Sequence, residues 1–123
     1  MTGDQLFFYF LLALVAFIVI RKSIRKRSVK NYSAAEARMH MTNGSVMLDV
    51  RTGRERSYRS IPGSLHIPLH ELNTRMNELE RFRSKEIICY CASGSRSISA
   101  ALRLKKAGFN AANLEEGIAS WNF

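Results

Sequence analysis

A run of fifteen consecutive apolar residues, Leu6 to Ile20, divides this chain before any other feature is considered. Sixteen uncharged residues lie between Asp4 and Arg21, enough for about 24 Å of helix against a hydrocarbon core of roughly 30 Å. The run is apolar all round, so it cannot be an interfacial amphipathic helix. A membrane anchor, a signal-peptide core and a buried core helix remain. The order of charges separates them. A secretory signal carries its positive charges ahead of the apolar core, whereas here only Asp4 precedes it. Arg21, Lys22, Arg25, Lys26, Arg27 and Lys30 follow it, with no acid among them. No small-residue cleavage pattern follows either. The expectation is a single-pass anchor with its N-terminus outside and the basic side cytoplasmic, in the inner membrane of the cell. Arg21 and Lys22 can snorkel to the interface and help a short span fit.

The division predicted on this basis is a membrane helix over residues 5–21, a basic juxtamembrane linker over 22–32, and a folded domain over 33–123. Most of the formal charge of +9 then belongs to the anchor. Residues 21–30 carry +6, Asp4 carries −1, and 31–123 carry thirteen Lys and Arg against nine Asp and Glu, or +4. The basic run reads as a topology signal, so that residues 5–30 meet membrane lipid, anionic head groups included. Nucleic-acid binding would need basic residues interleaved with aromatics on the folded face, and none are seen.

Within the domain, short apolar runs alternate with helical patterns. Ser33-Ala34-Ala35-Glu36 fits a capping box, with a helix running to about Asn43 and stopped by Gly44. Val46–Val50 reads as a buried strand, Glu55–Tyr58 as a short helix, and Ser64–Pro68 as a brief strand. His70–Phe82 has helical spacing with Leu72, Met76 and Leu79 on one face. Ile87–Tyr90 is a strand, Ile98–Ala107 a helix ended by Gly108, and Ala111–Leu114 a last strand. This alternation predicts an α/β domain, a small parallel sheet with helices on both faces.

The chemistry concentrates in Cys91-Ala92-Ser93-Gly94-Ser95-Arg96-Ser97, between the third of these strands and the helix that follows. Open α/β sheets place their ligands at the carboxyl ends of strands. Free N–H groups of the loop and first helical turn favour an anion there and lower a cysteine's pKa. Cys91 is therefore the expected nucleophile, with Ala92, Ser93, Gly94, Ser95 and Arg96 forming an anion-binding loop. Gly94 lets the backbone turn left-handed around the sulfur, and the three serine hydroxyls can tune donor preference or serve as loop formers and a cap. Arg96 either meets the anion or braces the loop by pairing with a carboxylate; bracing is favoured, with Asp49 as the candidate partner. Cys89 shares a strand face with Cys91 at a spacing unsuited to a disulfide and reads as a small core residue. Pro68 between His66 and His70 argues against a helical metal pair, and no zinc-type cysteine spacing occurs, so no metal is expected. His40 is expected to be solvated and Trp121 to be a packing anchor.

The segment from about Val46 to Trp121 resembles the rhodanese-type sulfurtransferases. The resemblance rests on Cys91-x-x-Gly94-x-Arg96 after a strand, Asp49-Val50-Arg51, Ile61-Pro62-Gly63-Ser64-Leu65-His66-Ile67-Pro68, and Leu114-Glu115-Glu116-Gly117 with Trp121. It departs from the family at Arg59-Ser60, where many members have Gly-His, and at Glu116-Gly117, where they have a glycine pair. Protein-tyrosine phosphatases and related arsenate reductases place one residue more between Cys and Arg. The resemblance implies a two-step exchange. Cys91 takes the outer sulfur of thiosulfate or a persulfide, and the resulting persulfide passes it to a thiophilic acceptor, a protein among the possible ones. It implies no cofactor, and a bracing role for Asp49 and Arg51. Two other readings stay open: a persulfide carrier or interaction module with little turnover, and a Cys-dependent phosphatase or arsenate reductase, which the loop length disfavours.

Overall fold

The computed structural model describes residues 2–123. It contains α1 (Gly3–Arg27), β1 (Lys30–Tyr32), α2 (Ala34–Thr42), β2 (Val46–Asp49), α3 (Gly53–Tyr58), β3 (Leu65–His66), α4 (Leu72–Arg75), β4 (Glu86–Tyr90), α5 (Ser95–Lys106) and β5 (Asn110–Leu114). The sheet order is β1-β5-β4-β2-β3, with every neighbouring pair parallel. The expected α/β architecture is present, with helices on both faces.

Strand period two explains the two apolar layers. Ile87, Cys89 and Cys91 face one side, with Leu48 and Val50, against Ala100, Ala101 and Leu104 of α5 and Leu72 and Leu79. Ile88 and Tyr90 face the other, with Met47, Ala112 and Leu114, against Ala37 of α2, Ile61, Ile118 and Trp121. Trp121 is 6% exposed, and the Arg38 guanidinium lies 4.2 Å over its ring.

α1 is a 25-residue helix, long and apolar enough to cross a membrane, and none of its residues is buried against the domain. A Thr2–Gln5 capping box starts it. The expected linker over 22–32 is not a linker in the structure. The helix continues to Arg27, and Lys30–Tyr32 then forms the edge strand β1 in register with Ala112–Leu114 of β5. Val29 and Tyr32 are buried, while Lys30 is solvated, as suits a sheet edge. The sheet therefore begins ahead of residue 33.

Two further expectations change. Leu72, Met76 and Leu79 do pack inward, but the single helix over His70–Phe82 is interrupted. Leu69–Glu71 and Met76–Phe82 wind as 3₁₀ turns around the one-turn α4. The tighter winding stacks residues three apart, and Arg75 with Glu78 and Arg83 with Glu80 pair at that spacing. His40 is not simply solvated: its ring stacks on Tyr32 at 4.2 Å, and Nδ1 lies 3.3 Å from Glu86 Oε1. Burial, with a hydrogen bond to Glu86, pushes the Tyr32 phenol up to about 12.

Candidate functional site

β4 ends at Tyr90 and α5 begins at Ser95, so Cys91 to Gly94 must reverse the chain in four residues. Gly94 makes this possible with φ +102, a left-handed conformation that costs glycine little. The turn aims the Gly94 N–H back at Cys91 Sγ, 3.0 Å away. The Ser97 hydroxyl lies 3.4 Å from the same sulfur. Cys91 is 1% exposed, so its sulfur sits at the floor of the loop rather than at its rim. Burial pushes its thiol up, but the Ser97 hydroxyl and the N–H groups of Ser97, Gly94 and Ser93 outweigh it, and the net shift is downward. Cys89 has no such donors. Burial, then the proximity of Cys91, pushes its thiol far up. One strand face thus carries two buried thiols shifted in opposite directions.

The back of the loop is held from behind. The carbonyl of Cys91 accepts the Ile118 N–H at 2.9 Å, and that of Ala92 accepts Ala119 N–H at 3.4 Å. Both donors belong to the 3₁₀ turn Gly117–Ser120, which is entered through two left-handed residues, its cap Glu116 (φ 64) and its first residue Gly117 (φ 61). A glycine pair would adopt these angles without strain. Glu116 holds its own at a steric cost of roughly 1–2 kcal/mol.

Arg96 does not pair with Asp49. Its guanidinium forms a two-pronged ion pair with Glu55, at 2.7 and 2.8 Å. Asp49 is fully buried and already engaged: it accepts Arg51 N–H at 2.9 Å, Arg51 Nε at 3.0 Å and Arg51 Nη2 at 2.9 Å, and Arg56 stands 3.3 Å off. Arg96 emerges from the first turn of α5 toward the loop after β2. There Thr52 caps α3, and the third helical residue of that cap is Glu55. Asp49 and Arg51 therefore pair with each other at the end of β2, and Arg96 pairs with Glu55 of α3. His66 Nε2 lies 2.8 Å from the Arg51 carbonyl, whereas His70 is exposed beside Glu71. Among the described residues, no group of three or more His, Cys, Asp or Glu side chains converges as a metal site would require.

The Glu55–Arg96 clasp has a pH signature. The Arg96 hydrogen bonds hold the Glu55 carboxyl down at about 2, against the usual 4.5. A depressed carboxylate contributes stability that is present above pH 4.5 and lost as pH falls toward 2. The pair is about one-third exposed, so its contribution stays below about 1 kcal/mol. Glu55→Gln is expected to lower stability near pH 7 by that contribution, up to about 1 kcal/mol, and to flatten the acid limb so that the two curves converge toward pH 2. Thermal melts between pH 2 and 7 check this; an unchanged acid limb would contradict the pairing.

Ser97, Asn113 and Glu55 complete the site, and none was assigned these contacts from the sequence alone. Asn113 had a visible signal, being an amide inside the apolar strand Ala111–Leu114, and it is 1% exposed. A cavity of about 200 Å³ opens beside the loop, lined by Ser93, Gly94, Ser95, Glu115 and Glu116, with Lys26 of α1 at its edge. The arrangement is a buried cysteine sulfur under a short collar of hydrogen-bond donors, suited to a substrate whose charge develops at or next to sulfur.

Known proteins share this arrangement of chain. A sulfurtransferase of Allochromatium vinosum is 34% identical over 85 residues, covering 68% of this chain and 78% of that protein. The structure of a rhodanese-related protein from Thermoplasma volcanium superposes with a TM-score of 0.69 at 35% identity, over 75% of this chain and 89% of that one. A thiosulfate sulfurtransferase from Pseudomonas aeruginosa gives 0.68 at 31% identity, over 77% of this chain but only 19% of that longer one. Residues 33–123 match the family described as the rhodanese-like domain. Its parallel sheet, its strand–cysteine–helix loop and this match together make the chain a member of the rhodanese-like family of sulfurtransferases and sulfur carriers.

Proposed function

We propose that the chain is a membrane-anchored sulfurtransferase whose domain faces the cytoplasm and moves sulfane sulfur through a persulfide on Cys91. The observation that carries this reading is the lowered thiol of Cys91, under N–H donors in a loop with only four residues between Cys91 and Arg96. In the first half-reaction, the Cys91 thiolate attacks the outer sulfur of thiosulfate or of a persulfide. A sulfur–sulfur bond forms as the donor's own breaks, and sulfite or the donor thiolate leaves with the electron pair. In the second, a thiophilic acceptor (a small nucleophile or a protein thiol) attacks the terminal sulfur, and the Cys91 thiolate is regenerated. The loop donors stabilise the anions at each stage. Asp49 and Arg51 hold the end of β2 under the loop, and the chemistry needs no metal and no organic cofactor.

Support for anchoring comes from α1, apolar over Leu6–Ile20 and exposed along its length, with six basic residues on its C-terminal side. On this reading residues 5–30 contact lipid and the domain sits at the inner membrane surface. The test uses the full chain in detergent with thiosulfate and cyanide. Thiocyanate formation is expected. A sulfur adduct without turnover would favour a carrier, and hydrolysis of an aryl phosphate in place of thiocyanate would favour a phosphatase. A reporter active only outside the cytoplasm, fused after Phe123, is expected to stay silent; an active one would overturn the orientation.

A further inference from the structure

Behind Cys91 runs a chain of hydrogen bonds, buried at the sulfur and exposed where it reaches Lys26, that sulfur transfer as described above does not use. The Ser97 hydroxyl lies against both Cys91 Sγ and Asn113 Oδ1. Asn113 Nδ2 donates to Asn31 Oδ1 at 3.0 Å. Asn31 Nδ2 donates in turn to the carbonyls of Lys26 at 2.9 Å and Val29 at 3.1 Å, where α1 ends and β1 begins. Each amide has one oxygen and one NH₂, so the direction of the chain is fixed from its far end. Two carbonyls can accept only from an NH₂ group, which turns Asn31 Oδ1 toward Asn113. Asn113 must meet that oxygen with its own NH₂, and therefore shows its oxygen to Ser97.

Ser97 then has one proton and two acceptors. With Cys91 a thiol, S–H donates to Ser97 Oγ and Ser97 donates to Asn113. With Cys91 a thiolate, the sulfur draws that same proton and Asn113 Oδ1 gives it up. We propose that Asn113, oriented by Asn31 and through it by the end of α1, is a positioning residue that competes with Cys91 for the Ser97 proton and so keeps the thiolate basic. A more basic thiolate is the stronger nucleophile toward sulfur. Once the sulfur is loaded, the negative charge resides on its terminal atom, and the Ser97 proton returns to Asn113. The relay thereby favours the loaded state over the empty thiolate.

Other charges around the sulfur are held apart from this competition. Arg96 is paired with Glu55 and Lys26 with Glu115, Glu116 lies at the cavity edge, and Cys89 on the same strand face is fully buried. None of their side chains hydrogen-bonds to Ser97, Asn113 or Asn31.

The inference rests on Cys91 as the nucleophile, but its test needs no sulfur transfer. The full chain in detergent is alkylated with iodoacetamide across pH, and modification of Cys91 is followed by mass. Asn113→Leu removes the competing acceptor and is expected to lower the apparent pKa of Cys91 by about one unit, a tenfold gain in thiolate on the acid side. Ser97→Ala is expected to raise it. The double variant is expected to match Ser97→Ala alone, because Asn113 acts only through Ser97. Asn31→Leu frees the Asn113 amide to rotate and is expected to shift the pKa the same way as Asn113→Leu. It serves as the second variant if Asn113→Leu folds poorly. An unchanged or raised pKa in folded Asn113→Leu or Asn31→Leu, or an equal shift with and without Ser97, would overturn the proposal. Shifts as expected in a protein that makes no thiocyanate would instead contradict the proposed turnover and leave the relay standing.

Discussion

Cys91→Ser is expected to lower thiocyanate formation from thiosulfate and cyanide by roughly 10⁴-fold or more, as loss of a covalent nucleophile does elsewhere. The substitution exchanges one atom. Serine fits the same space, and its oxygen can accept the Gly94 N–H that now meets Sγ at 3.0 Å. The fold is therefore expected to survive with a Tm within a few degrees of the parent. What is lost is the chemistry. An alcohol in this pocket is far from ionised at neutral pH, and an oxygen cannot carry the transferable sulfur–sulfur bond. Cys89 cannot substitute, because it is fully buried and its thiol is pushed far up. A variant that is folded and still active would remove Cys91 from the reaction.

Gly117→Ala is expected to be the most damaging single methyl in the domain. Gly117 has φ +61, strained for any L side chain. The more severe constraint is space. An added Cβ would overlap the Cys91 carbonyl oxygen and lie 2.6 Å from the Ala92 carbonyl oxygen. Both are backbone atoms of the sulfur loop, fixed from the other side by β4 and pinned by the N–H groups of Ile118 and Ala119. Neither can retreat without dragging Cys91. The cost combines left-handed strain with steric overlap, roughly 3–5 kcal/mol, which corresponds to a fall in Tm of roughly 15–25 °C for a domain of this size. Calorimetry or a fluorescence melt of the full chain checks it. A Tm within about 3 °C of the parent would mean that the 117–120 turn does not brace the loop as the structure shows.

These predictions depend on contacts of unequal visibility in the sequence. β2 and β4 are built around the apolar runs Val46–Leu48 and Ile87–Tyr90, β5 is apolar but for Asn110 and Asn113, and the Ser33–Glu36 capping box marks the start of α2, so the alternating pattern was legible from local rules. β1 was not. Lys30 and Asn31 hide it within a basic run, and an edge strand needs only Val29 and Tyr32 to bury. The pairing of Arg96 was equally hidden, since chain spacing cannot say which of two carboxylates, Asp49 or Glu55, it meets across the fold. Only the cap of α3 brings Glu55 to it, while Arg51 and Arg56 occupy Asp49. The cysteine loop itself could be placed at a strand end because a glycine follows at the position where the chain must turn. Its supporting shell could not. Ser97 and Asn113 meet across two elements, and Asn31 reaches them from what looked like a linker.

The central claim is that sulfur resides covalently on Cys91 during transfer. Intact mass of the full chain after incubation with thiosulfate tests it most directly. The account predicts a gain of one sulfur atom, mapped by digestion to the peptide holding Cys91, absent in Cys91→Ser and removed by cyanide. Thiocyanate formation with no adduct at any point in turnover, or an adduct that persists in Cys91→Ser, would contradict it.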